Sequence, residues 1–478
     1  MGTLLRQQTV GAWRYSLAMT PTFELNGRRM ALTATDPKQS LLRWLQQHGL
    51  TGTKEGCADG DCGACTVAWQ VSDQDGVTRY QAVNSCLLPV GALPGRCVLT
   101  VESLARNGVL HPAQQALIDA GGSQCGYCTP GFVMSLFVGC MNGELGDATT
   151  EGNLCRCTGY APIRRATQQL AAATLDQSAW AIVPTAPVAA APVAAVATPA
   201  VGDFYSPLSV AAALALKAQH ADAAWIAGAT DVGVQLSHGQ TTAPVLIALD
   251  RIAELQRLEV TADSVWIGAG VSLSRIEKAL ADVVPTLAQM LPWFAARQVK
   301  NRATLGGNLG SASPIGDLLP VLLALDAEVH CRGQDGERVI PIDGYFLDYR
   351  KTALRADELI LGVRLPRPPG LRSAAFKVAK RPTDDISIVA AVFALRLDSQ
   401  QTVQTVRLAY GGVAATPSRA RITEAYLLGK PLNAETVLHA QELLEGEFTP
   451  LGDHRASADY RRQLCGNLWR QFVAEQCS

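Results

Sequence analysis

Apolar and polar positions change period several times along the chain, and each change marks a different kind of element. In residues 22–90 short β-type runs alternate with turns. TFELNGRRMALTA reads as a hairpin with Asn26-Gly27 at its tip, and TVAWQVSD and YQAVNSCLL supply two further strands. SLLRWLQQHGL carries its apolar residues at helical spacing, with Asp36 or Ser40 as cap and Gly49 as stop. This pattern specifies a small mixed sheet packed on one helix, with a glycine-rich loop between helix and strand. From about 100 to 175 the period is helical. Thr129-Pro130, a cap and first-turn pair, opens the run FVMSLFVGC, and YAPIRRATQQLAAAT gives a helix after the 155–159 loop, so a four-helix subdomain is expected. From 203 onward a helix over 209–223 is mixed with short strands AWIAG, VLIALD and SVWIGAG. The chain ends in a strand at LAYGG and helices within TEAYLLG, NAETVLHAQELL and SADYRRQLCGNLWRQFVAEQ, without tandem repeats.

Composition narrows the class. Pro184, Pro187, Pro192 and Pro199 in AIVPTAPVAAAPVAAVATPAV would interrupt a spanning helix repeatedly and suit an extended linker. With 41 basic and 42 acidic residues, a net charge of -1 and 48% hydrophobic residues, the chain has a substantial core and no sustained basic field for nucleic acid. The first residues contain no long apolar stretch and no arginine pair, and Arg6 in MGTLLR takes the place of the Ser or Thr of a myristoylation signal. Neither export nor membrane insertion is expected.

Thirteen cysteines carry most of the chemical information. Cys57-x4-Cys62-x2-Cys65 with a distant Cys86 has plant-type [2Fe-2S] ligand spacing, and Gly56, Gly60 and Gly63 would let backbone N–H groups come close to sulfur. Zinc is the alternative for four thiolates, although only Cys62 and Cys65 form a usual knuckle; a redox dithiol leaves Cys57 unexplained. Cys125-x2-Cys128 and Cys155-x-Cys157 form a second group, again open to zinc but more economical as a second cluster, with Cys125 and Cys128 placed before the free N–H groups of the Pro130 helix. Cys97, Cys140, Cys331, Cys465 and Cys477 are expected as packing or incidental thiols.

Two later segments suit a dinucleotide. AWIAGATDVGVQLSHG offers Gly228, Ala229 and Thr230 for close approach to a pyrophosphate, but it lacks G-x-G-x-x-G, and taken by itself a strand followed by a turn is the better reading. In RATLGGNLGSASPIGD, Thr304, Gly306, Gly307, Asn308 and Ser311 suit an extended loop around such a ligand, with an ordinary turn as the alternative.

The motifs GCADGDCGACTV, NSCLLPV, QCGYCTPGF and NLCRCTGY resemble those of the molybdenum hydroxylases, and the likeness continues through the later segments to nearly the whole chain. The resemblance implies an α+β multidomain protein. It would comprise a ferredoxin-like β-grasp [2Fe-2S] domain (20–100), a helical [2Fe-2S] domain (101–178) and the linker (179–202). An α+β FAD-binding domain of the vanillyl-alcohol-oxidase-like type (203–370) and a C-terminal α/β subdomain (371–478) would follow. In that family the second cluster lies nearer the molybdenum and the first nearer the flavin. The resemblance places Trp225, Ile226, Ala227, Gly228, Ala229, Thr230, Asp231 and Val232 in the pyrophosphate loop, with Ala229 where asparagine is common. It puts Phe294 beside the isoalloxazine, Thr304, Gly307, Asn308 and Asp317 in a second FAD segment, and Ile360 and Lys377 as further neighbours. Residues 380–389 resemble an acidic loop near the flavin that influences nicotinamide access, in which Pro382 and Thr383 depart from the charged residues common in animal enzymes; a solvated turn explains Asp384-Asp385 equally well.

Two cluster segments followed by FAD in a chain ending at Ser478, without molybdopterin domains, resemble the small subunit of bacterial xanthine dehydrogenases. That implies a cytoplasmic α2β2 partnership with a large molybdopterin-binding subunit, and electrons from hypoxanthine or xanthine passing through both clusters to FAD and NAD+. No residue of this chain would touch the purine, and His111, His220 and His238 are expected as surface or packing residues. The equivalent subunit of an aldehyde or N-heterocycle hydroxylase, or a free-standing electron carrier, are the alternatives.

Overall fold

The computed structural model describes residues 21–33, 35–72, 77–181, 203–241, 243–381 and 383–477. The expected linker, apart from 179–181, and Pro382 lie outside the described residues.

Strand Thr66–Ser72 explains why the first domain sits in the middle of the molecule. Its residues 66–69 are all buried, and a strand apolar on both faces must be covered on both. Ala68 joins a core with Tyr80, Leu99, Phe132, Phe137 and Ile163, whereas Val67 and Trp69 join another with Trp44, Phe204, Ile226 and Leu246. The sheet therefore lies between the helical region and the start of the flavin-type region. Its order is Arg28–Ala31, Thr22–Leu25, Cys97–Leu99, Thr66–Ser72, Thr78–Asn84, with Thr22–Leu25 and Cys97–Leu99 parallel. Asn26 and Gly27 take φ 55° and 75°, as a two-residue hairpin requires. Helix Leu41–Gln47 is capped by Ser40 rather than Asp36, its side chain accepting from Arg43 N. YQAVNSCLL is a strand only as far as Asn84, so Cys86 sits in the turn beyond it.

The helical region has three α-helices, Pro112–Asp119, Thr129–Asn142 and Ala161–Ala172, among the described residues rather than the expected four. The stretch 143–160 is rich in Gly, Thr and charged residues and lacks the apolar spacing with which another helix would bury a face. Thr129 is the first helical residue and not the cap, a place taken by Cys128.

Among the described residues, 203–477 build four sheets, one of them only the short antiparallel pair Phe346–Asp348 and Lys351–Thr352. Asp203–Tyr205, Val245–Ala248 and Ala224–Ile226 are parallel; Gly336–Pro341, Glu328–Gly333, Leu359–Pro366, Ser264–Gly268 and Leu258–Val260 form an antiparallel five-stranded sheet. The last sheet, Arg372–Val378, Val389–Leu397, Val403–Gly411 and Ser418–Arg419, packs on helices Arg421–Leu427, Ala434–Glu447 and Ala458–Gln476. LAYGG is thus the end of a longer strand. The segment expected as an extended loop is instead helix Leu305–Ser311: Thr304 Oγ1 accepts from Gly307 N at 3.0 Å and caps a turn that a loop would leave unpaired. Among the described residues no helix is long and apolar enough to cross a membrane.

Candidate functional site

The first cysteine group lies on the loop entering strand Thr66–Ser72. Cys57 Sγ accepts the N–H groups of Asp59 (3.4 Å) and Cys62 (3.3 Å), and Cys65 Sγ stands 3.3 Å from Cys86 Sγ. A hydrogen bond from the Cys62 thiol, aided by those N–H groups, brings Cys57 down to about 5 and drives Cys62 up. The Cys86 thiol likewise lowers Cys65 against the effect of burial. Each pair thus has one sulfur with the thiolate character a metal requires. Gly63 has a reason the sequence does not show: its φ is +65°, and a Cβ there would stand 2.0 Å from the Gly152 carbonyl oxygen, in the other cysteine region.

The second group pairs Cys125 with Cys157 and Cys128 with Cys155. Burial opposes ionisation of Cys155, but Thr158 N and Oγ1, donating at 3.4 and 3.1 Å, leave it lowered. Cys128 is pushed up to about 12 by burial and by Cys155. Among the described residues no three His, Cys, Asp or Glu side chains converge to hold a single ion. Four thiols meeting two by two, with amide N–H groups on sulfur, fit two irons with two thiolates each better than one tetrahedral zinc.

The two groups touch. Leu154 N donates to Cys62 O at 3.0 Å, and Leu154 is bonded to Cys155, so one hydrogen bond joins ligand-bearing backbone to ligand-bearing backbone. Gly63 O accepts from Asn153 Nδ2 at 3.0 Å. From the flavin-type region, Gln298 Nε2 lies 3.3 Å from Thr66 Oγ1, Ser135 Oγ and Asn153 Oδ1, tying all three regions together.

A cleft of about 1230 Å³ opens on the other side of the first group. Its walls include Trp225, Ala227, Gly228, Ala229, Thr230, Asp231 and Val232, with Phe294, Thr304, Gly307, Asn308, Ser311, Asp317 and Ile360. Ile226 does not line it, being packed in the core behind. Nor does Lys377, whose Nζ holds Asp317 Oδ2 at 2.8 Å while Ser387 Oγ takes Oδ1 at 2.5 Å. Gly228 is required by close approach, since a Cβ would stand 1.8 Å from Arg302 O, and Ala229 takes φ 68°. Asn308 Oδ1 is buried without a partner. A cleft of this size, with tight backbone and an orphan acceptor, fits FAD.

Several wall residues escape sequence reading: Asp61, Arg350 and Arg455; Arg381 and Asp384, which also line it, belong to the 380–389 loop that the family resemblance puts near the flavin. Asp61 stands in the cysteine motif, but the spacing of sulfurs says nothing about which way the intervening side chains face. Burial, with Asp61 next, raises Asp384 to about 7. His111 is buried, His220 stacks on Tyr205, and exposed His238 bonds Asp59 at 2.5 Å, the first two in packing roles as expected.

Residues 23–91 match the family model of the 2Fe-2S iron-sulfur cluster binding domain, and 100–168 that of the [2Fe-2S] binding domain. Residues 199–368 match the FAD binding domain in molybdopterin dehydrogenase, and 374–476 the CO dehydrogenase flavoprotein C-terminal domain. The chain belongs to the molybdenum hydroxylase family. Within that family it is an iron–sulfur and flavin electron-transfer module. Xanthine dehydrogenase of Emericella nidulans is 32% identical over 529 residues, covering 96% of this chain and 39% of the relative. That of Drosophila subobscura is 33% identical over 518 residues, covering 93% and 38%. The chain therefore spans about two fifths of the length of these curated relatives. Among solved structures, a carbon monoxide dehydrogenase from Hydrogenophaga pseudoflava is 29% identical with a TM-score of 0.54, covering 57% of this chain and 96% of that one. Quinoline 2-oxidoreductase from Pseudomonas putida 86 is 25% identical with a TM-score of 0.54, covering 58% and 97%.

Proposed function

We propose that this chain is the electron-transfer subunit of a cytoplasmic NAD-dependent xanthine dehydrogenase, paired as α2β2 with a large molybdopterin-binding subunit. In this reading Cys125, Cys128, Cys155 and Cys157 hold the cluster nearer the partner, and Cys57, Cys62, Cys65 and Cys86 the cluster nearer FAD. The expected domain limits, 20–100, 101–178, 203–370 and 371–478, belong to the same proposal. When bound, the clusters carry single electrons and FAD collects two and delivers them as hydride to NAD+.

The observation that carries the reading is the 57–65 loop. Its Asp61 lines the flavin cleft, while its Cys62 carbonyl accepts from Leu154 next to Cys155. One loop thus borders both neighbouring sites. Cys125 and Cys157 are exposed, with exposed Tyr127, Leu154 and Tyr160 nearby in the chain, which suits an edge facing a partner. Relatives named xanthine dehydrogenase align over 93 to 96% of the chain and support the substrate. The likeness to carbon monoxide dehydrogenase and quinoline 2-oxidoreductase structures favours a second reading, the same module serving another molybdenum hydroxylase.

Co-purification with the large subunit and assay with xanthine and with aldehydes tests the choice. Urate formation coupled to NAD+ reduction is expected; aldehyde turnover without xanthine turnover would select the second reading. The chain alone, replete with flavin, should be bleached by NADH under anaerobic conditions, and no bleaching would refute the nicotinamide step.

A further inference from the structure

Between the ferredoxin-like region and the flavin cleft lies a buried charge cluster that belongs to neither cysteine group. Asp250 Oδ2 is met by Arg96 Nη2 at 3.1 Å and Arg302 Nη2 at 3.5 Å. Both guanidiniums lie over the Trp69 ring, 5.4 and 4.9 Å from its centroid. Arg251 donates across the junction to the Pro94 carbonyl. Trp69, Pro94 and Arg96 come from the ferredoxin-like region, whereas Asp250, Arg251 and Arg302 come from the flavin region. Two guanidiniums thus meet one carboxylate while a third, that of Arg251, is held at the Pro94 carbonyl, and the Nε of each is buried without a partner.

Surplus positive charge under cover destabilises a fold by itself, so its placement calls for an explanation. It sits directly behind the cleft's backbone. Arg302 O occupies the space where Gly228 would carry a Cβ, at 1.8 Å. Arg302 also shares the wall of a small cavity with Gly228, Thr230, Val83 and Leu87. Two residues beyond Arg302, Thr304 caps the helix whose first turn lines the cleft. On the far side of the loop, a Cβ on Gly233 would stand 2.3 Å from the Leu87 carbonyl oxygen, so the loop is braced by Arg302 at one end and directly by the ferredoxin-like region at the other.

We propose that Trp69 and Arg96 are positioning residues through which the ferredoxin-like region holds Arg302, and with it segments 228–232 and 304–308, in the shape that grips the diphosphate of FAD. The surplus positive charge adds a field that favours the dianionic diphosphate over any neutral occupant. This rests on the flavin reading of the cleft.

The test is the FAD dissociation constant of the whole chain, stripped of flavin with its clusters retained, followed by quenching of flavin fluorescence. Trp69→Leu should weaken binding about tenfold and Arg96→Gln several-fold, the size of a desolvated cation–π contact. Arg257→Gln is the control: Arg257 stacks on Trp266 at 4.8 Å in the same region, and neither residue lines the cleft. It should leave binding unchanged. A purely structural role for the junction would lower melting temperature without moving the dissociation constant of folded protein. Arg96, with a side chain 27% exposed, carries the test if Trp69→Leu does not fold. Wild-type affinity in the folded junction variants, or equal weakening in the control, would overturn the proposal. Absence of FAD binding by the wild type would instead overturn the flavin reading on which it stands.

Discussion

No ligand of the first cysteine group is exposed, Cys65 and Cys86 being buried and Cys57 and Cys62 half-buried, whereas the second group keeps Cys155 buried and Cys128 half-buried but exposes Cys125 and Cys157. Both groups offer four thiols in two pairs with amide donors on sulfur, so the ligand chemistry is the same. The surroundings differ. The first group has protein contacts on two sides, through Asp61 into the cleft and through the Cys62 carbonyl to Leu154. An electron carrier in the middle of a path needs neighbours on two sides and no opening to solvent, while one at its end needs an open edge. Under the proposed relay order, the two groups differ in burial and not in their ligands.

The largest effects should come from the ligands themselves. Cys57→Ala and Cys125→Ala are each expected to remove one of two EPR signals and to lower iron from about four to about two per chain. Flavin content should fall only with Cys57→Ala, whose loop supplies Asp61; equal flavin loss in both would break the contrast. Next in size, Gly228→Ala drives a Cβ against the Arg302 carbonyl and should weaken FAD binding about a hundredfold with both cluster signals kept. Loss of a cluster signal instead would mean that the cleft and the cysteine loops do not form separate sites.

A pH effect should distinguish the region around the exposed group. His111 caps helix Pro112–Asp119, with Nδ1 accepting from Ala113 N, and packs on Phe137 in the helix that begins after Cys128. Burial, with Arg106 second, holds its imidazole down to about 4 from the ordinary 6.5. The unfolded chain then takes up the proton first. Stability is full above pH 6.5 and falls as the pH drops toward 4, by on the order of 2 kcal/mol. Circular dichroism and EPR on acidification should show the second cluster lost before the first, and His111→Asn should narrow the gap; simultaneous loss would count against it. The smallest effect concerns Asp384, raised to about 7 by burial and by Asp61. Above that pH its carboxylate opposes the phosphates of an incoming nucleotide, so the KM for NADH should rise about threefold through neutrality, and Asp384→Asn should remove the slope.

Short-range features were readable directly. The hairpin at Asn26-Gly27, the helices that follow a cap, and the sulfur spacings all depend on residues a few positions apart. What escaped depends on contacts between regions. The strand Cys97–Leu99 is too short to show a period and exists through its neighbours Thr22–Leu25 and Thr66–Ser72. Gln298, in a four-residue helix, carries no motif, yet it reaches side chains of two other regions. Asp61 reaches the cleft because its loop meets the distant 380–389 loop there. In 304–311 the paired glycines suggested an extended chain, and the cap from Thr304 outweighed their low helix propensity.

In the proposed function the two cysteine groups and the cleft form one conducting path with the 57–65 loop in its middle. Anaerobic NADH titration of the intact chain, followed by flavin absorbance and EPR together, tests it most directly. Bleaching of the flavin followed by both [2Fe-2S] signals is the predicted result. A bleached flavin with neither cluster signal, in protein shown to contain its iron and labile sulfide, would contradict it.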